Sequence, residues 1–186
     1  MRALVIVLVL MAVSPLRGST AAADEKWCIG AGLFVDRGEA TLMRRLSERT
    51  LLGIEVRGFR REGQGDPIFG YLREWSVAVG PRIRRFVGTG SALSPYWDVF
   101  VNGTMSGEEI GLISSSIRAR GIDAGFGFGV EYSTPWRFSV AGHSDFLSGS
   151  WARTELKDRT AGKTNRGSVS DIALGLSPAL FVRVYF

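Results

Sequence analysis

Cysteine and histidine are almost absent from this chain. Its 186 residues include one cysteine, Cys28, and one histidine, His143. A single cysteine cannot form an internal disulfide, and one residue of each type provides no cluster with metal-ligand spacing. The chain also lacks a phosphate-binding loop and a dinucleotide fingerprint. We therefore expect neither a metal nor a cofactor.

Long hydrophobic runs are missing once the first part of the chain is passed. Residues 1–23 begin with Met1-Arg2, continue through an apolar stretch and end in Ala21-Ala22-Ala23 before Asp24. This pattern is typical of a cleavable secretory signal, and its apolar core is short for a transmembrane helix. We predict a signal peptide over 1–23 and one domain over 24–186, with a retained N-terminal anchor as the alternative.

Runs of charge are missing as well. The chain carries 23 basic and 18 acidic residues, a net charge of +5, and two of the basic residues, Arg2 and Arg17, lie in the predicted signal. The remaining basic residues are scattered and are not interleaved with an aromatic platform. We therefore predict that nucleic acid is not a partner.

The most informative stretch is the C-terminal one, 168–186, which reads SVSDIALGLSPALFVRVYF. Every second residue from Phe186 back to Ile172 is apolar, whereas the alternate positions are mostly small or polar. A period of two indicates a strand with one apolar face. The stretch is long for a soluble strand, but it suits a strand that crosses a bilayer in roughly nine to eleven tilted residues.

Seven further segments show similar alternation between turn signals. They are 27–35, 39–46, 50–61, 69–87, 96–106, 117–132 and 136–153, of which 39–46 is the weakest. Pro81 predicts a bulge or break within the fourth segment. In lipid every backbone donor and acceptor must be paired, which a closed sheet achieves. We therefore predict an all-β fold: an eight-stranded antiparallel up-and-down transmembrane β-barrel after the signal peptide.

The connections fall into two groups. The segments 47–49, 88–95 and 133–135 should lie at the end of the barrel that holds the chain termini, and 36–38, 62–68, 107–116 and 155–167 at the opposite end. Short turns at the terminal end and longer loops at the far end are typical of outer-membrane barrels. The last of these loops mixes basic and acidic residues, and we expect it to contact lipopolysaccharide phosphates or a host ligand, or to be a solvated tip.

These features together resemble the small bacterial outer-membrane β-barrel proteins of the OmpA/OmpX-like superfamily. The resemblance rests on the signal, the turns RRLSERTLLGIEV and VEYSTPWRFSV, and the end ALFVRVYF. It implies export through a cleaved signal, residence in the bacterial outer membrane among lipid and lipopolysaccharide, and insertion by the barrel-assembly machinery. It also implies an assembly signal at Leu180, Val182, Val184 and Phe186. We expect a monomer.

The inward face of the predicted strands is rich in charge. An eight-stranded barrel is barely wide enough for its own side chains, so opposite charges inside it should pair. We predict a lumen charge network of Glu55, Arg57, Asp98, Asp123, Glu131, Arg137, Asp171 and Arg183, with Arg82, Arg84, Arg118 and Arg120 on the same face. Such a network is either a polar core that closes the barrel or a path for ions or protons.

Two motifs invite a chemical interpretation. In His143-Ser144-Asp145 the adjacent histidine and serine point to opposite faces of a strand, so this triplet cannot be a catalytic site, although Asp145 can orient His143. The alternating glycines of GFGFG, 125–129, predict inward space for bulky neighbours. We therefore predict a structural or loop-mediated role and no enzyme. The alternatives are a narrow channel for small solutes or ions and, less favoured, a lipid A-modifying enzyme.

Overall fold

The structure is a computed structural model that describes residues 26–34, 37–64, 71–88, 92–110, 115–134, 136–158 and 162–186. The predicted signal peptide, 1–23, lies outside the described residues. Within the described part of the chain, no helix is long and apolar enough to span a membrane.

Eight antiparallel strands form a single closed sheet. They are β1 (Trp27–Phe34), β2 (Gly38–Ser47), β3 (Thr50–Gln64), β4 (Tyr71–Phe86), β5 (Leu93–Ile110), β6 (Ser115–Ser133), β7 (Phe138–Asp158) and β8 (Lys163–Tyr185). Each strand pairs with its neighbours in sequence, and β8 pairs with β1 to close the ring. The predicted eight-stranded antiparallel up-and-down barrel is confirmed, and β2, the weakest segment in the sequence, pairs with both neighbours.

The first and last strands meet where the ring closes. The Trp27 amide donates to the Phe186 carbonyl at 3.0 Å, and the Phe186 amide donates to the Trp27 carbonyl at 2.9 Å. From there β1 and β8 pair from Cys28 opposite Tyr185 up to Phe34 opposite Ala179. The alternation that indicated a strand at the C-terminus thus marks the strand that seals the barrel.

The wall of the barrel is much taller on one side than on the other. β1 has 8 residues, whereas β8 has 23. Much of the two segments predicted as the loops 107–116 and 155–167 is strand, and Glu155 pairs with Arg166 beyond the level where β1 ends. Those loop predictions were wrong at these positions. A strand that is exposed to water on both faces is polar on both, so it lacks the alternation of apolar and polar residues by which strands are recognised.

Local irregularities interrupt several of the ladders. The β4–β5 ladder has no pair at Gly80 and Pro81, and it resumes at Arg82 without a change of register. The predicted break at Pro81 is therefore present without a bulge, because proline has no amide hydrogen to donate. On β7 the register shifts at Phe146, which is an extra residue relative to β6, whereas on the other side two β8 residues, Gly175 and Leu176, lie opposite it.

Side chains alternate between a filled interior and an exposed apolar exterior. Gly125, Gly127 and Gly129 on β6 face inward, as expected for the GFGFG stretch. A Cβ at Gly127 would lie 2.5 Å from the His143 ring, and one at Gly129 would lie 2.6 Å from the Tyr96 hydroxyl. The prediction that these glycines make room for bulky neighbours is confirmed.

Candidate functional site in the barrel interior

Two arginines on β4 lie at the centre of the barrel. Arg82 and Arg84 are fully buried, while Ile83 between them is exposed on the outer face. This follows from the alternation of a strand, which sends neighbouring side chains to opposite faces. Arg82 reaches Glu39 on β2 at 2.7 Å and Glu55 on β3 at 2.5 Å. The guanidinium group of Arg82 therefore joins three strands.

A second guanidinium group binds the same carboxylates. Arg57 Nε lies 3.1 Å from Glu39 and 3.0 Å from Glu55. Its charged plane also lies over the Phe100 ring, 3.8 Å from the centroid, a geometry in which the ring face attracts the cation. Asn102 donates from Nδ2 to Glu55 at 2.5 Å. Each carboxylate is thus compensated by charge and by hydrogen bonds, as a buried ion must be.

The closing strand is tied to the interior at the terminal end of the barrel. Glu131 on β6 accepts hydrogen bonds from Arg183 at 2.8 Å and from Ser139 at 2.6 Å, and also one from the Tyr185 hydroxyl. These contacts connect β6, β7 and β8 through one carboxylate. Arg84 reaches Asp98 at 2.8 Å and so extends the network toward the middle of the barrel.

The histidine is held on both sides of its ring. His143 Nε2 lies 2.9 Å from Asp145, and its Nδ1 lies 3.3 Å from the Tyr96 hydroxyl. The Tyr96 and His143 rings are stacked, with an interplanar angle of 3°. Asp145 orients His143, but both ring nitrogens are already engaged. This arrangement positions the imidazole and leaves it poorly placed to activate a nucleophile.

Asp98, His143 and Asp145 also offer three potential ligand atoms within 4.8 Å of one another. However, Asp98 is paired with Arg84 at 2.8 Å, and Asp145 is paired with Arg37 at 2.9 Å. Guanidinium groups therefore already supply the positive charge that a metal ion would bring. The chemistry of this cluster does not suit a cation.

The structure brings five of the eight predicted network residues into the buried interior. They are Glu55, Arg57, Asp98, Glu131 and Arg183. Asp123 lies at the rim of this group, with its carboxylate 3.6 Å from Arg57.

Two members of the predicted network lie elsewhere. Arg137 is exposed in the turn before β7, with a φ of 62°, because β7 begins at Phe138 and not at residue 136. Asp171 is exposed on the upper part of β8. There β8 extends beyond the end of β1, so the barrel does not enclose its side chain.

Arg118 and Arg120 were also expected inside, and the structure corrects this. Both side chains are exposed, and Arg120 pairs across the sheet with Arg153. They share the face of Ile122, which points outward. Arg118 and Arg120 lie at every second position from Ile122, so the alternation of the strand already placed them on the outer face. Their charge alone had suggested the interior.

Sequence reasoning left several interior residues out of the network. Glu39 is buried against Arg82, Arg37 pairs with Asp145, and the Tyr185 hydroxyl binds Glu131. The signal for Glu39 was present, since Glu39, Thr41 and Met43 alternate with Ala40 and Leu42 along β2. Glu39 was overlooked because the segment 39–46 is short and its alternation is weak.

Positive and negative charges are nearly balanced among the described residues of this interior. They include six carboxylates, on Glu39, Glu55, Asp98, Asp123, Glu131 and Asp145, and five guanidinium groups, on Arg37, Arg57, Arg82, Arg84 and Arg183. A filled and nearly neutral interior holds the walls together, and it presents little net charge to draw in a mobile ion.

Known proteins with solved structures share this architecture. The chain is similar to a major outer membrane protein from Thermus thermophilus, with a TM-score of 0.54, 16% identity and coverage of 87% of this chain and 99% of that chain. This chain itself forms eight antiparallel strands in a closed ring. The fold is that of a small outer-membrane β-barrel. The predicted resemblance to such barrels is confirmed at the level of the fold.

Two further structures show weaker likeness. Neisserial surface protein A has a TM-score of 0.44 and 15% identity, with coverage of 87% of this chain and 94% of that chain. CarO of Acinetobacter baumannii has a TM-score of 0.41 and 10% identity, with coverage of 87% and 97%. No family model matches the sequence, and no curated protein matches it either.

Proposed function

We propose that this chain is an integral outer-membrane protein whose closed barrel is a structural element of the envelope, with a tall β5–β8 wall that presents an interaction surface outside the membrane. One observation carries the proposal: the burial pattern is inverted relative to a protein dissolved in water. Arg82, Arg84 and Asp98 are fully buried, whereas Ile54 and Ile83 are exposed. Apolar side chains directed outward from a closed ring are stabilised by lipid.

The exposed apolar residues form a continuous outer surface. They include Ile29, Leu33, Leu42, Ile54, Val79, Val99, Val101, Phe128, Val130 and Leu180, from seven different strands. Soluble monomers rarely expose contiguous apolar patches larger than a few hundred Å². A belt that encircles the barrel is favourable where the surrounding medium is hydrocarbon.

The interior supports a closed barrel in preference to a channel. Arg82 on β4 bonds to Glu39 on β2, and Arg183 on β8 bonds to Glu131 on β6. These bonds join strands that are not neighbours in the sheet. Arg57 on β3 also lies 3.7 Å from Asp145 on β7, the opposite strand of the ring, so side chains fill the space that an open pore would need. An eight-stranded barrel is just wide enough for such side chains.

The C-terminal strand supports a role in assembly. Phe181, Arg183 and Tyr185 are buried inside, whereas Leu180, Val182, Val184 and Phe186 occupy the outward positions. This outward row is apolar and ends in an aromatic ring, so the barrel-assembly machinery can bind it before the barrel closes. We therefore assign the assembly signal to these four residues.

The test is outer-membrane fractionation combined with heat-modifiability on a gel. The expected result is that the protein is recovered with the outer membrane and that unheated and boiled samples migrate differently, because a closed barrel resists detergent until it is heated. Recovery in the soluble fraction, or identical migration of the two samples, would refute the proposal.

A further inference from the structure

A group of basic side chains lies on the outer face of β6, β7 and β8, beyond the apolar belt. In the register, Arg118 is opposite Glu155 and Arg120 is opposite Arg153, and Glu155 is in turn opposite Arg166 on β8. Directly paired residues of an antiparallel sheet point to the same face. Next along the strands, Ile122 is opposite Trp151, and both are exposed. The basic side chains therefore lie on the same outer face as the apolar belt, directly beyond its Ile122–Trp151 pair.

These side chains line one shallow groove, which we call the basic groove. Its lining is Arg118, Arg120, Arg153, Thr154, Glu155, Lys157, Arg166 and Gly167. Five of these eight residues are basic and one is acidic. Lys157 lies 3.4 Å from Glu155, so one ammonium group offsets that carboxylate and the groove keeps an excess of positive charge.

The opposite side of the barrel has a different charge balance. There Arg60 lies 2.5 Å from Glu62, and Arg73 lies 2.9 Å from the same carboxylate and 3.9 Å from Glu109. Two arginines and two glutamates thus compensate each other on the β3–β5 side. The excess of positive charge belongs to the β6–β8 side.

A second groove adjoins the basic groove on its membrane side. Its lining includes Ile122, Trp151 and Ile172, together with Ser170 and Asp171. Ile172 is the most exposed large apolar side chain among the described residues, at 80%. An apolar groove directly below a cationic one matches the shape of an amphipathic molecule with an anionic head and hydrocarbon chains.

We propose that these two grooves together bind a phosphorylated lipid of the outer leaflet. Its phosphate groups lie on Arg118, Arg120 and Arg153, and an acyl chain runs down past Trp151 and Ile172. This inference rests on the proposed function, because it requires the belt to sit in a bilayer. Arginine suits this role because its planar guanidinium group can donate two parallel hydrogen bonds to a phosphate.

The test measures binding of diphosphorylated lipid A and of its fully dephosphorylated form to the purified full chain by native mass spectrometry at low salt. The wild-type chain should retain the phosphorylated form preferentially. Arg120→Gln with Arg153→Gln should weaken that binding about thirty-fold, because each cation near an anionic lipid surface contributes about a five-fold factor. Inorganic phosphate added as a competitor should displace little of the lipid, because it cannot use the apolar groove.

The matched control is Arg60→Gln with Arg73→Gln, which removes two exposed arginines from the charge-compensated side. This control should bind the phosphorylated lipid as the wild type does. Equal retention of both lipid forms, equal loss in both double variants, or full displacement by inorganic phosphate would overturn the inference. Heat-modifiability of each variant separates the two proposals: a barrel that shifts normally but does not distinguish the lipids refutes the lipid site alone.

Discussion

A buried guanidinium group is stable in this barrel because of the carboxylates around it. Arg82 is fully buried and contacts Glu39 and Glu55 directly. Removing one partner of a buried ion pair leaves an uncompensated charge, which costs far more than the pair itself contributes. The charged interior therefore acts at the residue scale as a set of mutually dependent groups.

Arg82→Met tests this dependence. The substitution keeps similar bulk but leaves Glu39 and Glu55 with less compensation, so we expect a loss of about 3–5 kcal/mol in the free energy of unfolding. The measurement is a urea titration of the folded band on a heat-modifiability gel. Arg60→Met, at an exposed pair on the rim, is the control and should change stability by less than about 0.5 kcal/mol. Equal effects of the two substitutions would contradict the interior network.

Glycine at 127 is required by space. A Cβ there would lie 2.5 Å from the His143 ring, whereas a Cβ at Gly142, which is outward on β7, would meet nothing within 4 Å. Overpacking a filled core costs about 1–3 kcal/mol. We expect Gly127→Val to lower the urea midpoint and Gly142→Val to leave it unchanged or raised. A tolerated Gly127→Val would show that the interior has more room than the structure indicates.

At the scale of elements, the long strands serve two environments. The lower part of β8 pairs with β1 and faces the interior, whereas the part from Lys163 to Pro178 lies beyond the β1 pairing and is exposed. One strand thus closes the ring where it pairs with β1, and beyond that pairing it continues as part of a taller wall. The two parts should differ in their importance for folding.

Replacing residues 156–165 with an Asn-Gly turn tests this division. Glu155 and Arg166 are directly paired, so a two-residue turn can join them in register, and Asn-Gly favours such hairpins. We expect the shortened protein to fold and to shift normally on heating, because the removed part lies outside the closed ring. Loss of the heat-modifiable band would show that the upper wall is needed for barrel formation.

Phe186→Ala tests Phe186 as part of the assembly signal. The two backbone hydrogen bonds between Trp27 and Phe186 do not require the ring. We therefore expect refolding in detergent to be retained while the amount recovered from the outer membrane of cells falls. Trp136→Ala, at an exposed aromatic residue of the same end, is the control. Equal recovery of the two variants from cells would argue against a special role for Phe186.

At the scale of the whole molecule, the closed and nearly neutral interior predicts that the barrel does not conduct. The ion pair between Arg57 on β3 and Asp145 on the opposite strand β7, at 3.7 Å, spans the lumen. In planar bilayers we expect no stable unitary current steps from the purified protein, with protein-free bilayers as the baseline. Reproducible steps would favour the narrow-channel alternative and would require the interior side chains to move.

The sequence by itself determined the number of strands and most of the inward and outward assignments, because alternation with a period of two is a local property. It also placed Glu55, Arg57, Asp98, Glu131 and Arg183 on the inner face. The alternation of apolar and polar residues does not reveal a strand whose two faces are both exposed to water. The upper parts of β7 and β8 therefore resembled loops in the sequence.

The tertiary structure alone decided which charges meet. Arg82 and Glu39 are 43 residues apart in sequence, and Arg183 and Glu131 are 52 apart. Their contact depends on the register accumulated around the ring and on the different heights of the strands. The same geometry leaves Asp171 outside, above the end of β1, although its position on the alternating face suggested the interior. A strand's faces follow from its own residues, but its partners follow from closure of the whole sheet.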